Sequence, residues 1–216
     1  MERAAGGSEG GEVRPPGVGE ELEGFRLEAV LGEGGQGIVY RCRRGGALYA
    51  LKLLSLARGD WAWRELEIRL RLRRLGPLGL VAGGVWPHDT RRYVYLVMPY
   101  VRGRSLTHWT RVHNPTARRV AQVLEDLARQ LVHVHGAGVV HRDLKADNVV
   151  VRGEDGRAVL VDFGVGTYLG ALDITHPWAL PGTPHYRSPE ALRFRREHLG
   201  EHSPARVSDD LWALGV

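Results

Sequence analysis

An α+β fold of two unequal parts, a small antiparallel β-sheet lobe with one helix and then a mainly helical larger lobe, is the architecture the sequence predicts. Three observations lead there: short apolar runs broken by glycines between residues 25 and 54, a helical pattern over 61 to 75, and a long apolar stripe over 116 to 135. At 216 residues, 43% hydrophobic and 25% charged, the chain can bury a sizeable core.

The elements follow in order. Residues 1 to 24 are rich in Gly and Glu around Pro15 and Pro16, a composition that buries too little apolar surface to offset ordering entropy, and a disordered leader is expected there. The runs 25 to 31, 37 to 44 and 47 to 54 are separated by Gly-rich turns and read as hairpin-linked strands. A helix over 61 to 75 and a strand over 93 to 98 complete the small lobe, assigned to residues 25 to 98. Residues 99 to 104 form a connector, and 105 to 216 the larger lobe. Its long helix places Leu124, Leu127, Leu131 and Val134 at three- and four-residue spacing.

Composition excludes several function classes. Cys42 is the single cysteine, so neither an internal disulfide nor a cysteine zinc site can form, which fits a reducing cytoplasm. No run approaches the ~18 apolar residues of a membrane span. The net charge is +5, and residues 25 to 216 hold 28 cations against 19 anions. Those cations are dispersed without an aromatic-interleaved stripe, so no nucleic-acid partner is expected. His133 and His135 stand two apart on a helix and cannot face one metal, so no histidine metal site is expected either. All but two of the 30 cations are arginine; the exceptions, Lys52 and Lys145, suggest places where a compact ammonium is needed.

Gly32-Glu33-Gly34-Gly35-Gln36-Gly37-Ile38-Val39 spaces its glycines so that backbone amides could approach phosphate oxygens. A plain surface turn would read similarly. A dinucleotide fold would need a helix next, whereas Ile38 to Cys42 continues as a strand. The following strand carries Ala50-Leu51-Lys52, which sets an ammonium beneath the glycine hairpin. On the next helix Glu65 lies at the edge of the apolar arc of Trp61, Ile68, Leu72 and Leu75 and is chosen as the partner of Lys52. Glu67, among Arg64, Arg71 and Arg74, is the fallback. His141-Arg142-Asp143-Leu144-Lys145-Ala146-Asp147-Asn148 gathers a proton acceptor, a cation and a metal-binding amide in one loop. Asp162-Phe163-Gly164 follows a strand, with its carboxylate suited to a hard cation.

Together these motifs resemble the protein kinase family, in order from Phe25 to Val216, with Ser188-Pro189-Glu190 where the family has Ala-Pro-Glu and 207 to 216 resembling the start of the helix that anchors the large lobe. The resemblance implies a bilobal kinase fold that moves the γ-phosphate of ATP, with Mg²⁺ or, as second candidate, Mn²⁺, to a protein hydroxyl. It implies Lys52 as phosphate anchor, Glu65 as its ion-pair partner, Asp143 as base, and Asn148 and Asp162 as metal ligands. Gly32, Gly34 and Gly37 would cover the phosphates. Leu31, Val39, Ala50 and Val150 would sandwich adenine, Met98 would be the gatekeeper, and Pro99, Tyr100 and Val101 the hinge. Lys145, with Thr183 bracing it and Asp143, implies a serine or threonine acceptor. His135 and His141 resemble structural histidines. A nucleotide-binding or scaffolding kinase-like fragment without activity is the alternative.

Two departures from the family stand out. The usual loop phosphoacceptor position holds Ala179, leaving Thr175, Thr167 and Tyr168 as candidates or an order that needs no phosphate. Val216 falls inside the anchoring helix, so a buried Glu190 without its family partner, poor folding and low activity are expected of the 216-residue chain.

Overall fold

A computed structural model describes residues 14–35, 37–174 and 180–216. Period-two alternation builds the first part. The strands β1 (Glu21–Leu22), β2 (Phe25–Gly34), β3 (Gly37–Arg44) and β4 (Ala47–Ser55) are successive antiparallel neighbours. After α1 (Trp61–Arg71), β5 (Ala82–Trp86) and β6 (Tyr93–Pro99) complete a six-stranded sheet in the order β1-β2-β3-β4-β6-β5. Phe25, Leu27, Tyr40, Leu51, Leu53 and Val97 pack one cluster of this sheet; Leu54, Val94, Leu96 and Met98 pack another with Ala62 of α1. Ala50 packs on that second cluster, and Lys52, two residues on, shares its face.

Three expectations change here. The disordered leader does not extend to residue 24. Leu22 is fully buried, Glu21 pairs with Arg26, and the Tyr40 hydroxyl donates to the Pro16 carbonyl at 2.8 Å. Polar segments order when they carry even one well-placed apolar anchor and a strand edge to pair with; residues 1 to 13 lie outside the described residues. The first helix ends at Arg71 rather than 75, because Gly76 at φ 51° and Pro77 turn the chain; Leu72 and Leu75 still pack on the core. The strand β5 was not anticipated, since Gly83 and Gly84 disguise it as a turn.

The larger part opens with β7 (Gly103–Ser105), α2 (Leu106–His113) and α3 (Ala117–Gly136). Ser105 and Thr116 cap the two helices by accepting from the His108 and Arg119 amides. Short strands β8 (Val139–Val140), β9 (Val149–Arg152), β10 (Ala158–Leu160) and β11 (Thr167–Tyr168) form a three-stranded sheet, β10-β9-β7, and a β11-β8 pair. Then come α4 (Pro189–Glu197), capped by Ser188, and α5 (Val207–Gly215). The buried stripe of α3 is Val123, Leu127, Leu131 and Val134. Leu124 is 38% exposed, one residue and thus 100° away from the buried face. Gln130 ties α3 to β10, donating to the Ala158 carbonyl at 2.7 Å and accepting from the Leu160 amide at 3.0 Å. No helix among the described residues is long and apolar enough to cross a membrane.

Candidate active site

The site is assembled where β4, α1 and the segments flanking β9 and β10 meet. Register sets Lys52 opposite Val39 and Leu96, in the middle of the sheet. Its ammonium donates to both Glu65 carboxylate oxygens, at 3.1 and 2.8 Å, and to Asp162 Oδ1 at 2.6 Å. The Lys52 and Glu65 side chains are 5% and 1% exposed, whereas Asp162 retains 36%. Burial alone would press the ammonium toward its neutral form; the two carboxylates outweigh this and its pKa is raised. Burial would likewise raise Asp162, but Lys52, the Gly164 amide at 3.0 Å and the charge of Arg69 overcome it and hold the carboxyl below its ordinary range. Glu67 is turned outward instead and accepts from the Tyr168 hydroxyl at 2.7 Å.

A second cluster forms around Asp143. Its Oδ1 accepts from the Thr183 amide at 2.8 Å and hydroxyl at 2.7 Å, and its Oδ2 lies 2.8 Å from the Lys145 ammonium. Lys145 also donates to Thr183 Oγ1 at 2.9 Å. Only glycine allows this closure at residue 182: its φ is 82°, and a Cβ there would sit 2.3 Å from the Arg142 carbonyl. Asn148 spends its amide N–H groups on the Asp143 carbonyl and Oδ2, at 2.8 and 3.1 Å. The amide oxygen remains as its acceptor. Val161 donates to the Asn148 carbonyl at 2.8 Å, which sets Asn148 beside the strand end that presents Asp162. Two oxygen donors of this kind suit a hard divalent cation such as magnesium.

The loop that carries Asp143 is pinned from below. Asp210 of α5, 1% exposed, accepts from the His141 amide at 2.8 Å, the Arg142 amide at 2.9 Å and His135 Nε2 at 2.9 Å. His141 is fully buried, and burial lowers its pKa against the pull of Asp210. The neutral ring accepts from the Asp143 amide at 3.2 Å through Nδ1 and meets the Val161 carbonyl at 3.3 Å through Nε2. Arg142 and Asp162 hold left-handed backbone, at φ 65° and 58°, a strain that such networks sustain at functional sites.

The protein kinase domain model matches residues 25–216. The chain belongs to the protein kinase family. It is 31% identical over 212 residues to serine/threonine-protein kinase PknJ of Mycobacterium tuberculosis, across 92% of this chain and 33% of that protein. Serine/threonine-protein kinase Pkn1 of Myxococcus xanthus is 32% identical over 216 residues, covering 95% and 29%. Serine/threonine-protein kinase PLK4 of Nematostella vectensis is 27% identical over 208 residues, covering 92% and 20%. The chain thus spans a fifth to a third of the length of these relatives. Its α+β architecture is that of the kinase fold.

Within this kinase domain a cavity of about 200 Å³ is lined by Leu31, Val39, Ala50, Met98, Tyr100, Val101 and Val150, all expected from the sequence, with Lys52 and Asp162 at its polar end. Pro77, Arg69 and Val161 line it too and were not anticipated. Of the glycines, Gly37 is required by sterics: at φ 126° its Cβ would lie 2.2 Å from the Leu53 carbonyl. Gly32 and Gly34 face open space, so neither glycine is dictated by packing.

Thr167 does not serve as an accessible phosphoacceptor. It is 9% exposed and accepts from Arg64 Nη1 at 2.9 Å, while a second nitrogen of Arg64 donates to the Leu172 carbonyl. Thr175 and Ala179 lie outside the described residues. Glu190 is exposed on the first turn of α4, so it incurs no burial penalty, contrary to expectation. Asp210, Arg64 and Arg69 escaped the sequence reading. The Asp209-Asp210 pair at the start of α5 was the available signal for the first; nothing local marks the other two.

Proposed function

We propose that the chain transfers the γ-phosphoryl group of ATP to serine or threonine hydroxyls of protein substrates. The contact that carries this reading is Lys52 against Asp162, 110 residues apart in sequence, at the polar end of an apolar cavity. Residues 25 to 98 act as the small lobe, 99 to 104 as hinge and 105 to 216 as the large-lobe portion. The apolar walls take the adenine ring, and the backbone of Tyr100 and Val101 offers its hydrogen bonds. Lys52 passes its ammonium from Asp162 to the α- and β-phosphates, while Glu65 keeps it aimed. Asp143 Oδ2 receives the acceptor's hydroxyl proton. The acceptor oxygen then bonds to the γ-phosphorus as the bond to the β–γ bridging oxygen breaks, releasing ADP. Lys145 neutralises charge on the group in flight.

Asn148 and Asp162 would hold Mg²⁺, with Mn²⁺ a possible substitute, and the bound ion neutralises phosphate charge. Thr183 and Lys145 together support the hydroxyl class of serine and threonine. The reducing cytoplasm fits the single, buried cysteine.

Incubating the chain with labelled ATP, Mg²⁺ and a basic protein tests the reading, with Asp143→Asn and Lys52→Met as controls. Label should appear on Ser and Thr of the substrate with the unaltered chain and vanish with both variants. Transfer that survives both substitutions would overturn the assignment, and nucleotide binding without any transfer would favour a scaffold.

A further inference from the structure

The first turn of α5 carries two adjacent carboxylates, and they grip different stretches of chain. Asp210 holds the His141 and Arg142 amides. Asp209 Oδ1 accepts instead from the Ser188 hydroxyl at 2.5 Å, a short bond of the kind that a charged acceptor makes. Ser188 is 1% exposed, and its oxygen also accepts from the Ala191 amide at 3.0 Å, so one hydroxyl both caps α4 and reaches α5. An alanine at position 188, the residue of the family pattern, could make neither bond. Asp209 is half-buried, and its charge joins those of Asp173 and Asp210 in opposing the downward shift that burial imposes on the Arg142 pKa. The carboxylate therefore faces the underside of the loop that bears Asp143.

We propose that Ser188 and Asp209 are a positioning pair for the acceptor side of the site, fixing residues 180–188 to α5 so that Thr183 stays seated on Asp143. This rests on the proposed function for its meaning, but not for its geometry. Residues 180–188 are braced as one piece. Arg187 Nη2 donates to the Leu180 and Gly182 carbonyls at 2.7 and 3.0 Å, and the Tyr186 amide donates to the Thr183 carbonyl at 3.0 Å. An anchor at the end of this piece therefore reaches Thr183, whose amide and hydroxyl both donate to Asp143. Asp143 in turn sits on the loop that Asp210 holds. The contact between proton acceptor and brace is thus set from both sides by neighbouring residues of one helical turn, where the helix N-terminus favours both negative charges. Asp143, Thr183, Ser188, Asp209 and Asp210 line one cavity of about 40 Å³, so the anchor and the contact it sets share a single enclosure.

Asp209→Ala removes the link and leaves the α4 cap, Asp209→Asn keeps an acceptor oxygen without the charge, and Ser188→Ala removes both bonds. Three measurements on the full chain, well below each variant's melting midpoint, read the effect. They are amide hydrogen exchange at 182–187 with α3 as internal control, equilibrium affinity for a fluorescent ATP analogue with Mg²⁺, and steady-state transfer to a basic protein. Asp209→Ala should speed exchange at 182–187 roughly tenfold and lower kcat/KM for the acceptor protein roughly tenfold, the size of one hydrogen bond to a charged group. Exchange in α3 and affinity for the ATP analogue should stay within about twofold, because Lys52, Glu65 and the apolar cavity are untouched, whereas a general loss of structure would move all four readouts together. Asp209→Asn should recover at least half of either loss. Adding Ser188→Ala to Asp209→Ala should cost little more at 182–187, because both substitutions break the same bond. Exchange and transfer in Asp209→Ala within about twofold of the unaltered chain, an equal loss of ATP-analogue affinity, an asparagine variant no better than alanine, or additive losses in the double variant would overturn the proposal. Should Asp209→Ala not fold, Ser188→Ala removes the donor instead; unaltered exchange at 182–187 there overturns the proposal equally. An unaltered chain that transfers no label refutes the proposed function, while the exchange comparison still decides the role of the pair.

Discussion

Two lysine–aspartate contacts stand in one kinase domain, and their surroundings make them different devices. Lys52 meets Glu65 in a nearly dry pocket, with 5% of the lysine and 1% of the glutamate exposed, and reaches Asp162, which is 36% exposed, at the open side. Lys145 meets Asp143 at 2.8 Å with 24% and 12% exposed, amid a hydroxyl, an amide and a carboxamide. In the first, opposite charges are strongly coupled and removing one leaves the others stranded at several kcal/mol. In the second, neutral donors share the load and water still screens the charges. The dry Lys52–Glu65 pair therefore ties α1 to the sheet, and the wetter one leaves the Asp143 carboxylate partly open to solvent.

The sharpest way to break this contrast is to neutralise each aspartate or lysine separately and compare activity with stability. Asp143→Asn should cut kcat by about 10³-fold, the middle of the range for losing a general base, while the melting midpoint stays within a few degrees. Lys52→Met should cut kcat/KM by about 10²-fold and, unlike the first variant, destabilise the fold by about 3 kcal/mol in denaturant titrations, since Glu65 stays buried. Equal stability loss in both variants would erase the distinction. Thr183→Ala removes a hydroxyl that bridges Lys145 and Asp143, and kcat should fall about tenfold, as expected for one hydrogen bond to a charged group. Thr183→Ser should restore most of it.

The smallest effect concerns the sheet itself. Cys42 is fully buried, its thiol contacts the Tyr49 carbonyl at 3.6 Å, and burial pushes its pKa up to about 12. The native state therefore keeps its proton between about pH 9 and 12 while the unfolded chain loses it, so this group weakens the fold as pH rises through that window. Alkylation at pH 8 should be negligible in the native chain and rapid in denaturant, as read by mass spectrometry.

How much of this was legible in sequence depends on whether the determining contacts are local. The strands β2, β3 and β4 declare themselves through alternation and glycine turns, because pleat and turn chemistry act over a few residues. The Lys52, Asp143, Asn148 and Asp162 positions were likewise marked by motif spacing, and the cavity walls from Leu31 to Val150 were implied by the family resemblance that those motifs carry. Arg64 and Arg69 were not, because arginines on a helix read as a solvated face. Their burial depends on Thr167, Leu172, Phe163 and Leu78, partners remote in sequence or beyond the helix end. Leu22 shows the same limit from the other side: one apolar residue in a polar stretch gives no periodicity, yet it closes the sheet's core.

Adjacent residues on α1 grip different parts of the molecule. Arg64 holds Thr167 and the Leu172 carbonyl, and Glu65 holds Lys52. The helix is therefore a short lever with its two handles side by side. The segment after Gly164 and the Lys52 ammonium are thus tied to neighbouring residues of a single helix.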